Sequence, residues 1–363
     1  MGTHFEPVGT VVTPAKTLLF KIGRSNSVFR TIPLNCFSAE GSTAVFCALH
    51  EHKSNRRPFP NIVSVSELIA VKDVDAVVTP SRLRPATRCS IFIRDGVILG
   101  IGDYVLLSSM YGQPDIVLDG RGKIAVPGFY DLYAQLTMTG LRGLSTDAEG
   151  PLHETLFLLS RNMDPETAYK LALLGALEAA KSGVTFVADV SFPAERVAEA
   201  FRAVGLRGLA GYCVLDSEEP IRRRAEVSQA VKFAERWKGD AAVRPALAPF
   251  SLDTVSREQL EELAQSSREL GAPLLLQLAR SLEELRYVRE LTGYTPVFYA
   301  YRLGILGPRT IVAHANFAGE QERFLLAQSR SLIAQCPSMY LLSGVPFHAY
   351  DYWQLGGNVA VGT

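Results

Sequence analysis

From Lys123 onward, short β-rich runs alternate with punctuated helices, and few architectures accommodate that pattern. One helix, Pro165–Ser182, is opened by Asp164-Pro165 and closed by Gly183. Pro193–Val204 closes at Gly205, and Pro220–Lys238 at Gly239. Ser256–Leu270 has a capping box, Ser256 with Gln259, and stops at Gly271. Ser281–Thr292 repeats it with Ser281 and Glu284 before Gly293. Between the helices lie Val184–Val190, Leu206–Leu215, Val243–Pro249, Pro273–Ala279, Thr310–Ala313, Leu332–Cys336 and Asn358–Gly362. With a first strand around Ile124–Val126 these make eight strands, each but the last followed by a helix or helical connection. Eight such units in about 240 residues predict an α/β fold, a TIM (β/α)8 barrel over residues 124–363 that lacks its last helix. A doubly wound open sheet is the main rival, but no Gly-rich phosphate turn follows the first strand.

Residues 66–123 have another texture. Strands are expected at Asp75–Thr79, Cys89–Arg94, Val97–Ile101 and Asp115–Leu118, with Asp95-Gly96 as a hairpin turn, and they predict a small β-sandwich domain. Residues 1–65 are irregular, of unknown role, and end in the charged, Pro-broken linker Lys53–Pro60. Composition matters chiefly for what it excludes. The 363 residues carry 37 Lys+Arg against 37 Asp+Glu, so there is no electrostatic footprint for nucleic acid. No apolar stretch approaches the roughly 20 residues of a membrane span, and the N-terminus lacks a secretory pattern. Five cysteines (Cys36, Cys47, Cys89, Cys213, Cys336) are odd in number, scattered and without a CxxC pair, which argues against a disulfide framework. A cytoplasmic protein is expected.

In a barrel of this kind chemistry gathers at the C-terminal ends of the strands. Those ends fall at Tyr133-Ala134-Gln135, Asp189, Leu215-Asp216, Phe250, Gln277 to Arg280, His314 to Asn316, Gln335-Cys336 and Thr363.

Nine collinear stretches, spanning roughly residues 70–363, resemble the amidohydrolase superfamily, in its cytosine- and adenosine-type deaminase and chlorohydrolase branch. They are Val117–Lys123, Val126–Asp131, Met138–Gly143, Ser182–Asp189, Ala248-Pro249 with Thr254–Ser256, Ala272-Pro273-Leu274, Leu306–His314, Cys336–Ser338 and Val361–Thr363. The resemblance implies a metal-dependent hydrolase using zinc or iron. It also implies a first-strand His-x-His, at positions that here are Tyr133 and Gln135. The metal His and the acid-base Glu of the fifth strand fall at Gln277 and Arg280, and a substrate-facing His of the fourth falls at Phe250. The family's metal-binding Asp directly follows Gly-Thr on the eighth strand, where this chain stops at Thr363. Only His314 matches a functional residue of the pattern.

A catalytic divalent site needs three or more suitable donors, and Tyr133 and Gln135 bring no formal negative charge. Arg280 would repel a metal. The expectation is therefore a catalytically degenerate homologue of hydrolases acting on non-peptide C–N bonds, with no metal and no cofactor. It would keep a binding cavity lined by Tyr133, Gln135, Asp189, Phe250, Gln277, Arg280 and His314, with His314 the one catalytic candidate. Two alternatives stand beside it: an active metal-dependent hydrolase or deaminase of a heterocyclic or nucleoside-like substrate with unusual ligands, and a structural or regulatory subunit.

Other constellations read more plainly. His50-Glu51-His52 has metal-ligand spacing but lies before the barrel, where a solvated strand end is favoured. Asp189 and Asp216 could form a carboxylate pair, or bond loop amides and a turn. Cys336 could act with His314, but core filler is the simpler reading. Arg222-Arg223-Arg224 reads as a solvated helix face. Tyr340, Phe347, Tyr350, Tyr352 and Trp353 crowd the seventh strand-to-helix connection as a pocket mouth, an interface or packing. An open seam and sheet edge predict a homo-oligomer or a hetero-complex. A small-molecule ligand is expected, and neither nucleic acid nor membrane.

Overall fold

The structure is a computed structural model that describes residues 67–78, 86–142, 159, 162–215, 220–341 and 344–363. His50-Glu51-His52, Cys36, Cys47, Asp216 and the side chains of Arg222, Arg223 and Arg224 lie outside the described residues. Two compact units are present, one reaching to Phe129 and including residues 179–185, the other holding the remainder.

The first unit is a five-stranded sheet. It contains β1 (Leu68–Val77), β2 (Ala86–Arg94), β3 (Val97–Gly102), β4 (Ile116–Asp119) and β5 (Ile124–Ala125). The order is β3-β2-β1-β4, with β5 also on β1. Burial alternates along β1: Ile69, Val71, Val74 and Val77 pack on one face with Ile91 and Ile93, while Leu68 and Ala70 pack on the other with Phe92 and Leu107. Leu107 belongs to α1 (Tyr104–Tyr111), a helix absent from the sequence reading. Its apolar residues do not keep to one stripe, so periodicity misses it, whereas the Asp103 cap, which accepts from Leu106 N, was there to be read. The expected strand at Asp75–Thr79 is longer and earlier, because Leu68 to Val71 pair with Ile91 to Arg94.

The second unit holds all but Phe129, Val184 and Thr185 of the strands of a nearly closed parallel barrel. Its strands are β6 (Phe129–Ala134), β7 (Val184–Asp189), β8 (Arg207–Val214), β9 (Val243–Pro249), β10 (Leu274–Leu278), β11 (Thr310–His314), β12 (Leu332–Gln335) and β13 (Asn358–Val361). They run in sequence order around the sheet. The first barrel strand is thus Phe129–Ala134; Ile124-Ala125, expected in the barrel, pairs with β1 instead. Between the strands come α2 (Pro165–Lys181), α3 (Ala194–Val204), α4 (Pro220–Trp237), α5 (Arg257–Leu270), α6 (Leu282–Thr292), α7 (Pro296–Arg302), α8 (Glu320–Gln328), α9 (Pro337–Leu341) and α10 (Ala349–Gln354). Gly205, Gly271 and Gly293 close their helices in the left-handed conformation that the sequence anticipates for them.

The strands β10 and β11 are buried along their whole length, as parallel strands covered on both faces must be. Leu274, Leu276, Leu278 and Val312 face the helices, with Leu260, Leu263 and Val288 in the same cluster. Leu275, Ile311, Ala313 and Ala334 fill the barrel interior with Tyr133 and Cys336. Each fully buried Leu is worth about 1.5–3 kcal/mol. On the seam, Gly362 N donates to Gln335 O and Thr363 N to Tyr133 O, both at 2.8 Å. A Cβ at Gly362 would lie 2.8 Å from Tyr133 Cβ and 3.0 Å from Cys336 Sγ, so the seam closes only over glycine.

Candidate active site at the barrel mouth

Three of the anticipated residues meet at the C-terminal end of the barrel. Gln277 Nε2 donates to the Tyr133 hydroxyl at 2.6 Å, across 144 residues of sequence. The Tyr133 ring meets the His314 imidazole edge-on at 5.0 Å, and the Tyr340 ring meets it edge-on at 5.3 Å. All four side chains are buried. Strict alternation along β11 would send His314 to the helix side with Val312. It escapes because His314 and Ala315 adopt φ of 74° and 54°, which turns the strand end and swings the imidazole to the mouth. Gln335 Nε2 donates to His314 O, and Gln335 Oε1 accepts from His348 N at 3.0 Å, so one amide ties the kinked strand to the following loop.

Burial pushes the Tyr133 phenol well above its ordinary range, so it stays neutral. Gln277 Oε1 is buried with no hydrogen-bond partner among the described residues.

Arg280 stands beside this group without entering it. Its guanidinium grips Asp253 in two bonds of 2.9 Å, and its carbonyl accepts from Tyr340 Oη at 2.8 Å. Glu284, 0% exposed, accepts from Ala279 N at 3.2 Å and Arg280 N at 2.7 Å. The expected Ser281–Glu284 capping box is therefore half present: Ser281 accepts from Glu284 N, but the Glu284 carboxylate reaches further back to hold the β10 end. Burial pushes Glu284 up to about 7, against the pull of Arg280. Asp253 and Glu284 are not site candidates from the sequence, whereas Gln335 stands at an expected strand end and Tyr340 among the aromatics of the seventh connection. Glu284 is hidden by its capping spacing, and Asp253 has no local signal.

The remaining candidates lie apart. Phe186, Ala188 and Val190 face the barrel interior, so Asp189 faces away from it. Its carboxylate accepts from Leu136 N at 2.6 Å, Ser191 N at 2.7 Å and Ser191 Oγ at 3.0 Å, stitching the ends of β6 and β7 together. Burial raises Asp189 to about 7 and Asp131, which accepts from Thr363 Oγ1, to about 6. Phe250 packs with Cys213 and Leu215 in a small separate cluster. Gln135, half-buried, precedes the short 3-10 turn Leu136–Leu141. Burial pushes the Cys336 thiol up to about 12, far from a thiolate nucleophile.

A divalent metal of the implied kind finds a poor donor set here. Tyr133 is neutral, Gln277 brings an amide, and the Asp189 oxygens already accept three hydrogen bonds. Among the described residues no group of three His, Cys, Asp or Glu side chains is placed to hold a metal. The described donors do not fit the ion.

Comparison with known proteins supplies what the geometry lacks. A 5-methylthioadenosine/S-adenosylhomocysteine deaminase of Aquifex aeolicus is 33% identical over 75% of this chain, and the match spans 64% of that relative. A 5′-deoxyadenosine deaminase of Methanothermobacter thermautotrophicus is 31% identical over 76% of the chain and 65% of its own length. The chain thus spans about two thirds of these relatives. A solved adenosine deaminase from Xanthomonas campestris with bound zinc superposes with a TM-score of 0.71 at 21% identity, covering 82% of this chain and 68% of that one. Two expectations are overturned. A catalytically degenerate protein does not accord with relatives named as deaminases across three quarters of the chain. Nor does an expected absence of any cofactor accord with relatives named as deaminases and a superposable structure with bound zinc, although among the described residues no group of three His, Cys, Asp or Glu side chains is placed to hold a metal. Among the described residues no helix is long and apolar enough to cross a membrane. Residues 124–349, more than half of the chain, match the Amidohydrolase family, and the chain belongs to that family.

Proposed function

We propose that this chain serves a hydrolytic deaminase of a nucleoside-like substrate, an adenosine altered at its 5′ position. The observation that carries the reading is the 31–33% identity, over three quarters of the chain, to relatives named for 5-methylthioadenosine, S-adenosylhomocysteine and 5′-deoxyadenosine. In such a reaction water adds to the purine carbon that bears the amino group. A C–O bond forms, the C–N bond breaks, and the nitrogen leaves as ammonia. The barrel mouth supports the reading on three counts. Gln277 Oε1 is a buried acceptor suited to an amino N–H, and leaving such an acceptor unmet costs about 1–3 kcal/mol. Tyr133, held neutral, supplies a hydroxyl beside it. His314, in edge-on contact with two tyrosine rings, is the imidazole placed to move a proton at the reacting nitrogen. Asp189 and Phe250 act on the walls rather than on the substrate. Free buried thiols at Cys89, Cys213 and Cys336 accord with a cytoplasmic enzyme.

The test is ammonia release by the purified protein, supplied with zinc, from 5′-methylthioadenosine, S-adenosylhomocysteine and 5′-deoxyadenosine. One ammonia per nucleoside, with conversion of adenine to hypoxanthine in the product, is expected from at least one of them. A cooperatively folded protein that releases no ammonia from any of the three would refute the reading.

A further inference from the structure

On the outer wall of the barrel, the segment after β9 and helices α5, α6 and α7 enclose a groove of about 570 Å³. That lies within the 300–1,000 Å³ typical of small-molecule sites. Three tyrosines, Tyr287, Tyr294 and Tyr299, line it with Leu291 of α6, among the charged Asp253, Arg257, Glu261 and Arg302. Tyr287 and Leu291 are more than half exposed, a solvation cost that a planar ring in the groove would relieve.

The charges along the groove are unequal in their commitments. Arg257 is paired with Glu261 at 2.8 Å, and Asp253 is held by Arg280. Arg302 has no carboxylate within ion-pair distance among the described residues, and its guanidinium lies over the Tyr294 ring, 4.8 Å from the centroid. A cation stacked on an aromatic face at the edge of an aromatic slot suits a flat ligand that carries an anion on its rim.

We propose that this groove is a second ligand site, apart from the barrel mouth, that takes a planar aromatic carboxylate. The ring lies among Tyr287, Tyr294 and Tyr299, and its carboxylate meets the forked donors of Arg302. Through Asp253 the site borders the Arg280 clamp, so it adjoins the active-site wall without sharing Tyr133, Gln277 or His314. It does not depend on the deaminase reading, since no residue of the proposed chemistry takes part.

Calorimetric titration of the full chain with 2-naphthoate, and separately with the neutral isostere 2-naphthamide, tests the proposal. A charge-assisted bond to Arg302 predicts that the carboxylate binds at least about tenfold more tightly than the amide. Arg302→Gln should bring the carboxylate down to the level of the amide while leaving the amide unchanged, which also shows that the variant is folded. Tyr294→Leu should weaken both ligands. Absence of naphthoate binding, equal binding of the two probes, or indifference of naphthoate to Arg302→Gln would each overturn it.

Discussion

Replacing Asp189 by Asn should reverse the order of stability between wild type and variant as pH rises. Asp189 is 1% exposed, and burial raises it from 3.8 to about 7. Because the folded value lies above the unfolded one, the folded state keeps its proton between pH 4 and 7 while the unfolded state loses its own. Stability is therefore highest below the unfolded value and falls as pH rises, flattening above about 7. At about 1.4 kcal/mol per pH unit, the fall amounts to about 4 kcal/mol. The Asn side chain does not titrate, so it lacks this slope. It keeps the acceptor facing Leu136 N and Ser191 Oγ but turns an NH₂ toward Ser191 N, a mismatch that costs about 1–3 kcal/mol. The variant should thus be the less stable protein at pH 4 and the more stable one at pH 8. Urea denaturation of both proteins at unit steps of pH measures the gap directly. A gap that stays flat would show that the three donors around the carboxylate hold it ionised throughout, and that they outweigh the cost of burial.

Three further outcomes follow from the same structure. Arg280→Met leaves Asp253, 16% exposed, and the fully buried Glu284 without their cation, and should cost about 3–5 kcal/mol in chemical denaturation. Adding Asp253→Asn to that variant should recover part of the loss, and additive losses would disprove the pairing. Gly362→Ala drives a methyl against Tyr133 and Cys336 and should destabilise by about 1–3 kcal/mol, whereas an unchanged melting temperature would mean the seam is looser than described. Native Cys336, its thiol raised to about 12, should resist alkylation at pH 8 until the protein is unfolded. Rapid labelling of Cys336 in the native state, read by peptide mass spectrometry, would contradict its burial.

The legible parts of this protein were those carried by local chemistry. Gly205, Gly271 and Gly293 announce helix ends because a left-handed residue is needed there, and the Ser256–Gln259 box forms as its spacing implies. Where local signals mislead, a distant partner has won. Ile124 looks like a barrel strand until β1 claims it, and Glu284 looks like a cap until the β10 end presents two closer amides. Strand-end residues point away from deaminase relatives because each reports a single side chain, whereas relatedness is spread over residues 124–349.

Sequence alone was enough to determine the alternation of barrel strands and helices from Pro165 onward, though not where the first barrel strand lies, since alternation, caps and buried apolar runs depend on neighbours a few residues apart. It also placed Tyr133, Gln277 and His314 at strand ends. Only the tertiary structure decided that these three touch, that a positive φ turns His314 toward the mouth, and that Asp189 turns its back on the barrel. Contacts that span 144 residues of chain are made by the closing of the sheet, and side-chain direction at a strand end is set by backbone torsion and packing, neither of which residue spacing records.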